Sequence, residues 1–265
     1  NIFLNYDLED LYIYSCKNCN HRVSFLKKKH KDRDEYNENY YIEKHKNWFE
    51  NPNYSLFEFI LHFVKKNNIK NLLDLGCGKG DFLKYINLKS KLKLTGIDIT
   101  KNKNFKNIKF IIGDLHKHSF NEKFDLIVNL AVIEHIDDVN KFVAKINNLL
   151  NKNGHTIIMT VNQNSLIYKI SRFLYSINIK EPFIRLYDKH HLNHFSNKSL
   201  LYLMKKHKFE IIGKYFQNHN LNSVDFNKAN FIKTLIFKVA IFILFKIENF
   251  FKHTTLQTII AKKID

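Results

Sequence analysis

The residues best equipped for chemistry begin in the stretch 71–83, NLLDLGCGKGDFL. Asp74 stands two residues before Gly76, and Gly78 and Gly80 follow at alternate positions around Cys77. Three of the chain's seven glycines thus fall within five residues. Such clustering predicts a tight strand-to-helix turn where the backbone approaches a ligand that a Cβ would exclude. The N–H groups opening the next helix would then meet a nucleotide-type ligand. Dinucleotide sites read G-x-G-x-x-G and receive a pyrophosphate. Here the spacing is G-x-G-x-G, and Asp74 would repel a pyrophosphate but suits a cation bearing an ammonium and a sulfonium. Asp98 follows Asp74 by 24 residues, near the ~20-residue offset at which an acidic side chain meets a ribose. Glu134 and His135 add a carboxylate and an imidazole. The imidazole titrates near neutral pH and can take a proton from a hydroxyl. Shaping a loop or bonding backbone is the equally weighted role for His135.

The surrounding pattern supplies elements to hold these residues. Short apolar runs at 71–75, 93–99, 108–112, 124–129, 155–161, 209–216 and 255–264 read as strands. Helix-compatible stretches at 81–88, 139–150 and 197–207 alternate with them. A further amphipathic helix runs to about 66, opened by a Ser55–Glu58 capping box. Asp137 or Asp138 is the expected cap of the helix at 139, and Ser196 that of the helix at 197. Residues 151–154 read as a turn before the fifth strand. Alternation of strand and helix predicts an α/β sheet with ligands beyond its carboxyl edge, where Glu134 and His135 fall.

The motif DLGCGKG at 74–80 and the run FDLIVNLAVIEHIDD at 124–138 resemble the class I S-adenosylmethionine-dependent methyltransferases, small-molecule type, similar to the quinone-biosynthesis enzymes. So does His191 to Ser196 with the helix and strand after it. The resemblance spans about residues 55–265. It implies a Rossmann-like, mostly parallel seven-stranded sheet of order 3-2-1-4-5-7-6 with the last strand antiparallel. It implies S-adenosyl-L-methionine as cofactor, held by Asp74, Gly76, Cys77, Gly78 and Gly80 at the methionine end and by Asp98 at the ribose. Asp114 would accept from the adenine amino group while Leu115 packs on the ring, and Ile99 and Asn129 complete the cofactor set. The catalytic candidates are His135 and His191, the latter matching a family histidine on the substrate side. One departure is Lys208, where the family usually has glycine.

Composition constrains the partners. The 265 residues carry a formal net charge of +18, which would fit nucleic acid. Of the 43 basic residues, however, only four are arginine, the residue favoured for bidentate phosphate and base readout. Dispersed, solvated lysine is the expectation, with nucleic acid the less favoured partner and a small-molecule acceptor the favoured one. The signatures of amino-methylating DNA enzymes and the Pro-Cys nucleophile of pyrimidine-carbon enzymes are absent from the sequence. Three cysteines form no disulfide framework, the first residues lack the layout of a signal peptide, and a reducing cytoplasm is the expected compartment.

Domain organisation is expected as an N-terminal extension, 1–50, and a methyltransferase domain, 51–265, with insertions at about 165–195 and 218–254. The extension holds Cys16 and Cys19, a half-knuckle that faintly resembles an N-terminal zinc ribbon. A structural zinc needs four ligands, the chain has no second pair, and no metal ligand set is assigned. Tyr36, Tyr40, Tyr41, Trp48 and Phe49 are candidates for a lid, with packing on the core favoured. Residues 231–251 are the most apolar segment, interrupted by lysines and too short in their apolar runs to span a bilayer. They fit a membrane interface on the inner face, a dimer contact or a hydrophobic substrate wall, with packing on the protein's own core weighted about equally against these. The function expected is O-methylation of a small metabolite, sugar or lipid-linked intermediate. An RNA base methyltransferase and a non-catalytic cofactor-binding or membrane-associated protein are the rivals.

Overall fold

A computed structural model describes residues 2–27, 46–100, 105–224 and 231–264. The strands are β1 (Ile2–Asp7), β2 (Leu11–Cys16), β3 (Arg22–Leu26), β4 (Asn71–Leu75), β5 (Lys93–Asp98), β6 (Ile108–Ile112), β7 (Phe124–Leu130), β8 (Leu150–Val161), β9 (Asn193–His194), β10 (Phe209–Gln217) and β11 (Leu256–Lys263). The helices are α1 (Lys46–Glu50), α2 (Tyr54–Lys66), α3 (Asp81–Lys89), α4 (Val139–Leu149), α5 (Leu166–Ser176), α6 (Glu181–Leu186), α7 (Asn197–Lys206) and α8 (Phe231–Phe251).

Seven strands form one sheet in the order β10-β11-β8-β7-β4-β5-β6. Strands β4 to β8 are parallel, and β11 lies antiparallel to both β8 and β10. This is the order expected from the resemblance. The central strands are almost continuously apolar because both faces are covered. Helices α2 and α3 bury Leu56, Ile60, Leu83 and Ile86 on one face. Helices α4 and α7 bury Phe142, Ile146, Leu200 and Met204 on the other. The carboxyl ends of β4, β5, β6, β7 and β8 therefore open on one edge.

Local structure departs from expectation at two points. Helix α2 starts earlier than the Ser55 capping box implies: Asn53 is the cap, its Oδ1 accepting from Leu56 N at 3.2 Å. Glu58 instead bonds Tyr85 and Lys89 on α3. The turn expected at 151–154 lies inside β8, because the register on β7 jumps from Phe124↔Leu150 to Leu126↔His155. Asn153, at φ +60°, takes the left-handed conformation that this outward bulge needs. Lys208 sits at φ +59°, a conformation costly for any residue with a Cβ, which is the physical reason for the family's glycine.

The N-terminal segment and the 165–195 segment meet in one cap. Strands β1, β2 and β3 form an antiparallel meander, and β9 pairs onto β3 as the fourth strand. Helices α5 and α6 close its inner face, where Leu11, Ile13, Tyr168, Phe183 and Tyr187 share a small core. His194 on β9 is fully buried and its Nε2 lies 2.8 Å from Ser24 Oγ. Burial, reinforced by the charges of His21 and Arg22, pushes its pKa down to about 3, so the ring is a neutral structural element. Cys16 and Cys19 are half-buried free thiols beside the β2–β3 turn. Trp48 packs its ring 5.2 Å from that of His219. Tyr36, Tyr40 and Tyr41, with residues 28–34 of the basic run, lie outside the described residues.

Candidate active site at the carboxyl edge of the sheet

The glycine turn links β4 to α3 with Gly76, Gly78 and Gly80 at φ +76°, +51° and +77°. Packing within the protein accounts for two of them. A Cβ on Gly76 would lie 2.4 Å from Val132, and one on Gly80 would lie 2.7 Å from the Phe110 ring. Both are demanded by the protein's own packing. Among the described residues, a Cβ on Gly78 would meet only Phe49, at 3.9 Å, so this position is the least crowded of the three. Gly96 on β5, which the sequence reading passed over, is equally constrained: a Cβ there would meet Leu83 at 2.6 Å and Cys77 Sγ at 2.8 Å.

Cys77, expected among the cofactor ligands, is buried within the turn. Its N–H donates to Ile97 O at 3.1 Å and its carbonyl accepts from Gly80 N at 2.8 Å. Its buried thiol is pushed up by desolvation and by the carboxylates of Asp74 and Asp98. Asn129, also expected to face the cofactor, is fully buried and donates through Nδ2 to Leu75 O at 3.1 Å. It braces the end of β4 against β7.

Asp74, Asp98 and Asp114 come from the ends of the adjacent strands β4 and β5 and from just beyond β6. Asp74 is buried, and its Oδ1 has no hydrogen-bond partner among the described residues. Desolvation, and then the neighbouring charge of Asp98, pushes its pKa up to about 8. Asp98 accepts through Oδ2 from Gly78 N at 2.8 Å, and through Oδ1 from Thr100 N at 2.9 Å and Thr100 Oγ1 at 2.8 Å. It therefore shapes the turn while retaining lone pairs for further donors. Ile99 beside it is exposed. Asp114 accepts through Oδ1 from His116 N at 2.8 Å, an Asx turn. Leu115 packs its half-buried side chain against the α4 and α7 side of the core.

Beyond β7, Ala131 takes φ +56° and the chain turns through a short helical loop, Ile133–His135. Glu134 is buried, accepts from Thr160 Oγ1 at 2.9 Å, and is pushed up to about 7 by desolvation. His135 Nδ1 lies 2.7 Å from His190 O. A carbonyl only accepts, so Nδ1 carries the proton and Nε2 is the basic nitrogen. The His191 ring stands 4.9 Å from that of His135, edge to face. Glu134, His135 and His191 each offer one ligating atom, and these atoms lie within 4.8 Å of one another. The two expected catalytic histidines are thus brought together from positions 56 residues apart, with Glu134 as the neighbour that the sequence left without a role.

A glycine turn, a carboxylate ladder and an E-H loop at one sheet edge decide the relationship once residues 48–214 match the methyltransferase-domain family. The chain belongs to that family. This methyltransferase-family chain is similar to the ubiquinone biosynthesis O-methyltransferase of Pelagibacter ubique, at 33% identity over 106 residues covering 36% of this chain and 43% of that protein. It is also similar to the malonyl-[acyl-carrier protein] O-methyltransferase of Calditerrivibrio nitroreducens, at 23% identity over 167 residues covering 60% and 58%. The chain spans about half the length of the curated relatives it matches. Among solved structures, the magnesium protoporphyrin IX methyltransferase of Synechocystis, with bound S-adenosylhomocysteine, aligns at TM-score 0.59 and 10% identity over 88% of this chain and 98% of that one. That likeness is one of fold.

The residues present fit S-adenosylmethionine. The cradle holds an orphaned buried carboxylate oxygen on Asp74, destabilised by a second carboxylate. A cationic ligand relieves both.

Proposed function

We propose that this chain transfers the methyl group of S-adenosylmethionine to a hydroxyl of a small metabolite, sugar or lipid-linked acceptor. The hydrogen bond from His135 Nδ1 to His190 O carries the reading, because it orients Nε2 as a general base beside the carboxylate-lined turn. The cofactor, when bound, supplies an electrophilic methyl group on sulfur. Asp74 would hold its cationic end and Asp98 its ribose, with Asp114 and Leu115 at the adenine. His135 Nε2 would take the hydroxyl proton as the acceptor oxygen becomes nucleophilic. Glu134, with a pKa of about 7, is poised to be ionised near neutral pH and to steady the imidazolium. His191 would pack against that ring on the acceptor side. Both curated relatives above are named as O-methyltransferases, which supports oxygen as the accepting atom.

His135→Gln tests this. With catechol-type acceptors, turnover should fall roughly 10²–10⁴-fold while S-adenosylmethionine affinity stays within about twofold, since no cofactor contact is assigned to this side chain. Unchanged turnover would remove His135 as the base. Turnover on amines but on no hydroxyl acceptor would overturn the choice of oxygen.

The setting proposed is the cytoplasm, with peripheral contact to an anionic bilayer through α8. Ile236, Val239, Ile243, Ile247 and Phe250 recur at helical spacing and are 41–82% exposed. The opposite side of the helix buries Phe245 and Glu248, and Glu248 Oε1 accepts from Ile167 N at 2.9 Å, fixing α8 to the start of α5. No helix among the described residues is long and apolar enough to cross a membrane. A chain of net charge +18 is attracted to anionic lipid and repelled by its own copy. Co-sedimentation with phosphatidylcholine vesicles should require added phosphatidylglycerol and be lost in Ile243→Asp/Phe250→Asp. Absence of binding to either vesicle would refute the contact, and concentration-dependent dimerisation through the stripe would assign it to a second copy.

A further inference from the structure

The chain has four arginines among 43 basic residues, and two of them converge in the cap. Arg22 lies on β3 and Arg172 on α5. Both grip the buried Gln163 just beyond the carboxyl end of β8. Arg22 Nη1 donates to Gln163 Oε1, and Arg172 Nη1 donates to Gln163 O at 2.9 Å. Arg172 Nη1 also donates to the Tyr187 hydroxyl at 3.1 Å. The two guanidinium groups are close enough to repel each other, and burial with that repulsion pulls the Arg22 pKa down. Arg185, by contrast, is paired with Glu181 at 2.8 Å. Among the described residues no carboxylate reaches Arg22 or Arg172, and Arg22 Nε is buried without a partner.

Two guanidinium groups carry ten N–H donors, far more than the acceptors around them use. The neutral acceptors among the described residues satisfy hydrogen bonds but do not compensate the charges, which is costly in a half-buried place. In a lysine-dominated chain, arginine at both positions is informative, because its planar fork matches an oxyanion bidentately where an ammonium does not. The pair also lies next to the reaction edge. Arg22 pairs across β3–β9 with His194, whose ring is 6.5 Å from His191, itself 4.9 Å from His135.

We propose that Arg22 and Arg172 form an oxyanion subsite in the cap that recognises a carboxylate or phosphate on the methyl acceptor. This rests on the O-methyltransferase reading for the identity of the ligand, but not for the presence of an anion site. The subsite selects acceptors that carry the anionic group at one end and the hydroxyl at the other. The anion neutralises the paired guanidinium charges while His135 meets the hydroxyl.

The test uses three probes: 3,4-dihydroxybenzoate, its uncharged methyl ester, and inorganic phosphate. Binding is read by calorimetry on the full chain loaded with S-adenosylhomocysteine, so the result does not depend on turnover. Wild type should bind the acid at least about tenfold more tightly than the ester, since a charge-assisted pair is worth that much or more. Arg22→Gln and Arg172→Gln should each erase the preference, and Arg22→Lys should restore it only in part. Phosphate alone should raise the melting temperature of wild type and not of Arg22→Gln. The ligand-free melting temperature should hold or rise in Arg22→Gln, whereas a merely structural arginine would lower it. Tighter binding of phosphate than of the acid would assign the site to phosphorylated acceptors. Equal affinity for acid and ester in wild type, or a preference that survives both variants, would overturn the proposal. Methyl transfer to the ester without that preference would leave the O-methyltransferase reading standing.

Discussion

Asp74→Asn should stabilise the ligand-free protein while weakening its cofactor site. The buried Asp74 carboxyl has a folded-state pKa of about 8 against an ordinary 3.8. At pH 7 the unfolded chain holds it ionised and the folded chain holds it mainly protonated. Folding must therefore take up a proton against a gap of roughly three pH units, which costs about 4 kcal/mol at ~1.36 kcal/mol per unit. Because the folded pKa is raised, this group's contribution favours folding most at low pH and is lost as pH climbs from about 4 to about 8. An asparagine removes the proton uptake but leaves an amide to satisfy at roughly 1–3 kcal/mol. The net expectation at pH 7 is a gain of about 2 kcal/mol, or roughly 5 °C in melting temperature for a chain of this size. The gain should vanish near pH 5 and reverse by pH 4. Differential scanning calorimetry across pH, on variant and wild type together, isolates this residue from Glu134 and Glu248, which burial also raises to about 7. S-adenosylmethionine affinity should fall about tenfold or more with loss of the anionic partner. A variant less stable at pH 7, or one equally stabilised at pH 4 and pH 7, would refute the account of Asp74 as a buried carboxyl that ionises when a cation binds beside it.

Asp98→Asn should weaken cofactor binding roughly 10–100-fold by loss of a charge-assisted bond, and should lower the melting temperature modestly, because its amide nitrogen cannot accept from the turn as the second carboxylate oxygen does. Asp98→Ala, which also strips the acceptors of Gly78 N and Thr100, should lose several degrees besides; calorimetric titration and thermal melts separate the two. Lys208→Gly should stabilise the chain by about 0.5–1 kcal/mol in urea unfolding, since φ +59° strains a residue with a Cβ more than glycine's unfolded-state entropy offsets. Ser24→Ala should destabilise by roughly 1–3 kcal/mol, because it leaves the buried His194 Nε2 without its partner; an unchanged melt would mean that the cap is not locked there.

Much of the fold and part of the site were legible in the residues alone. Local chemistry fixed them: glycines at left-handed positions, apolar runs of strand length, Asp138 accepting from Lys141 N, and Ser196 accepting from Ser199 N as helix caps. These interactions reach no farther than one turn of chain, so spacing encodes them. The sheet order followed from resemblance, and the carboxylates at the strand ends followed from the sheet. The tertiary structure alone decided what each of those groups does. It turned Cys77 and Asn129 inward, assigned Gly76 and Gly80 to the contacts of Val132 and Phe110, and gave His135 a tautomer through a carbonyl 55 residues away. It also brought Arg22 and Arg172 onto one glutamine, from segments that a sequence reading takes as unrelated additions. Contacts of that kind depend on where distant segments close over one another, and no local period records it. A sequence writes its turns and caps within a few residues, whereas burial and charge neighbours, which set what a side chain can do, exist only after the chain has folded.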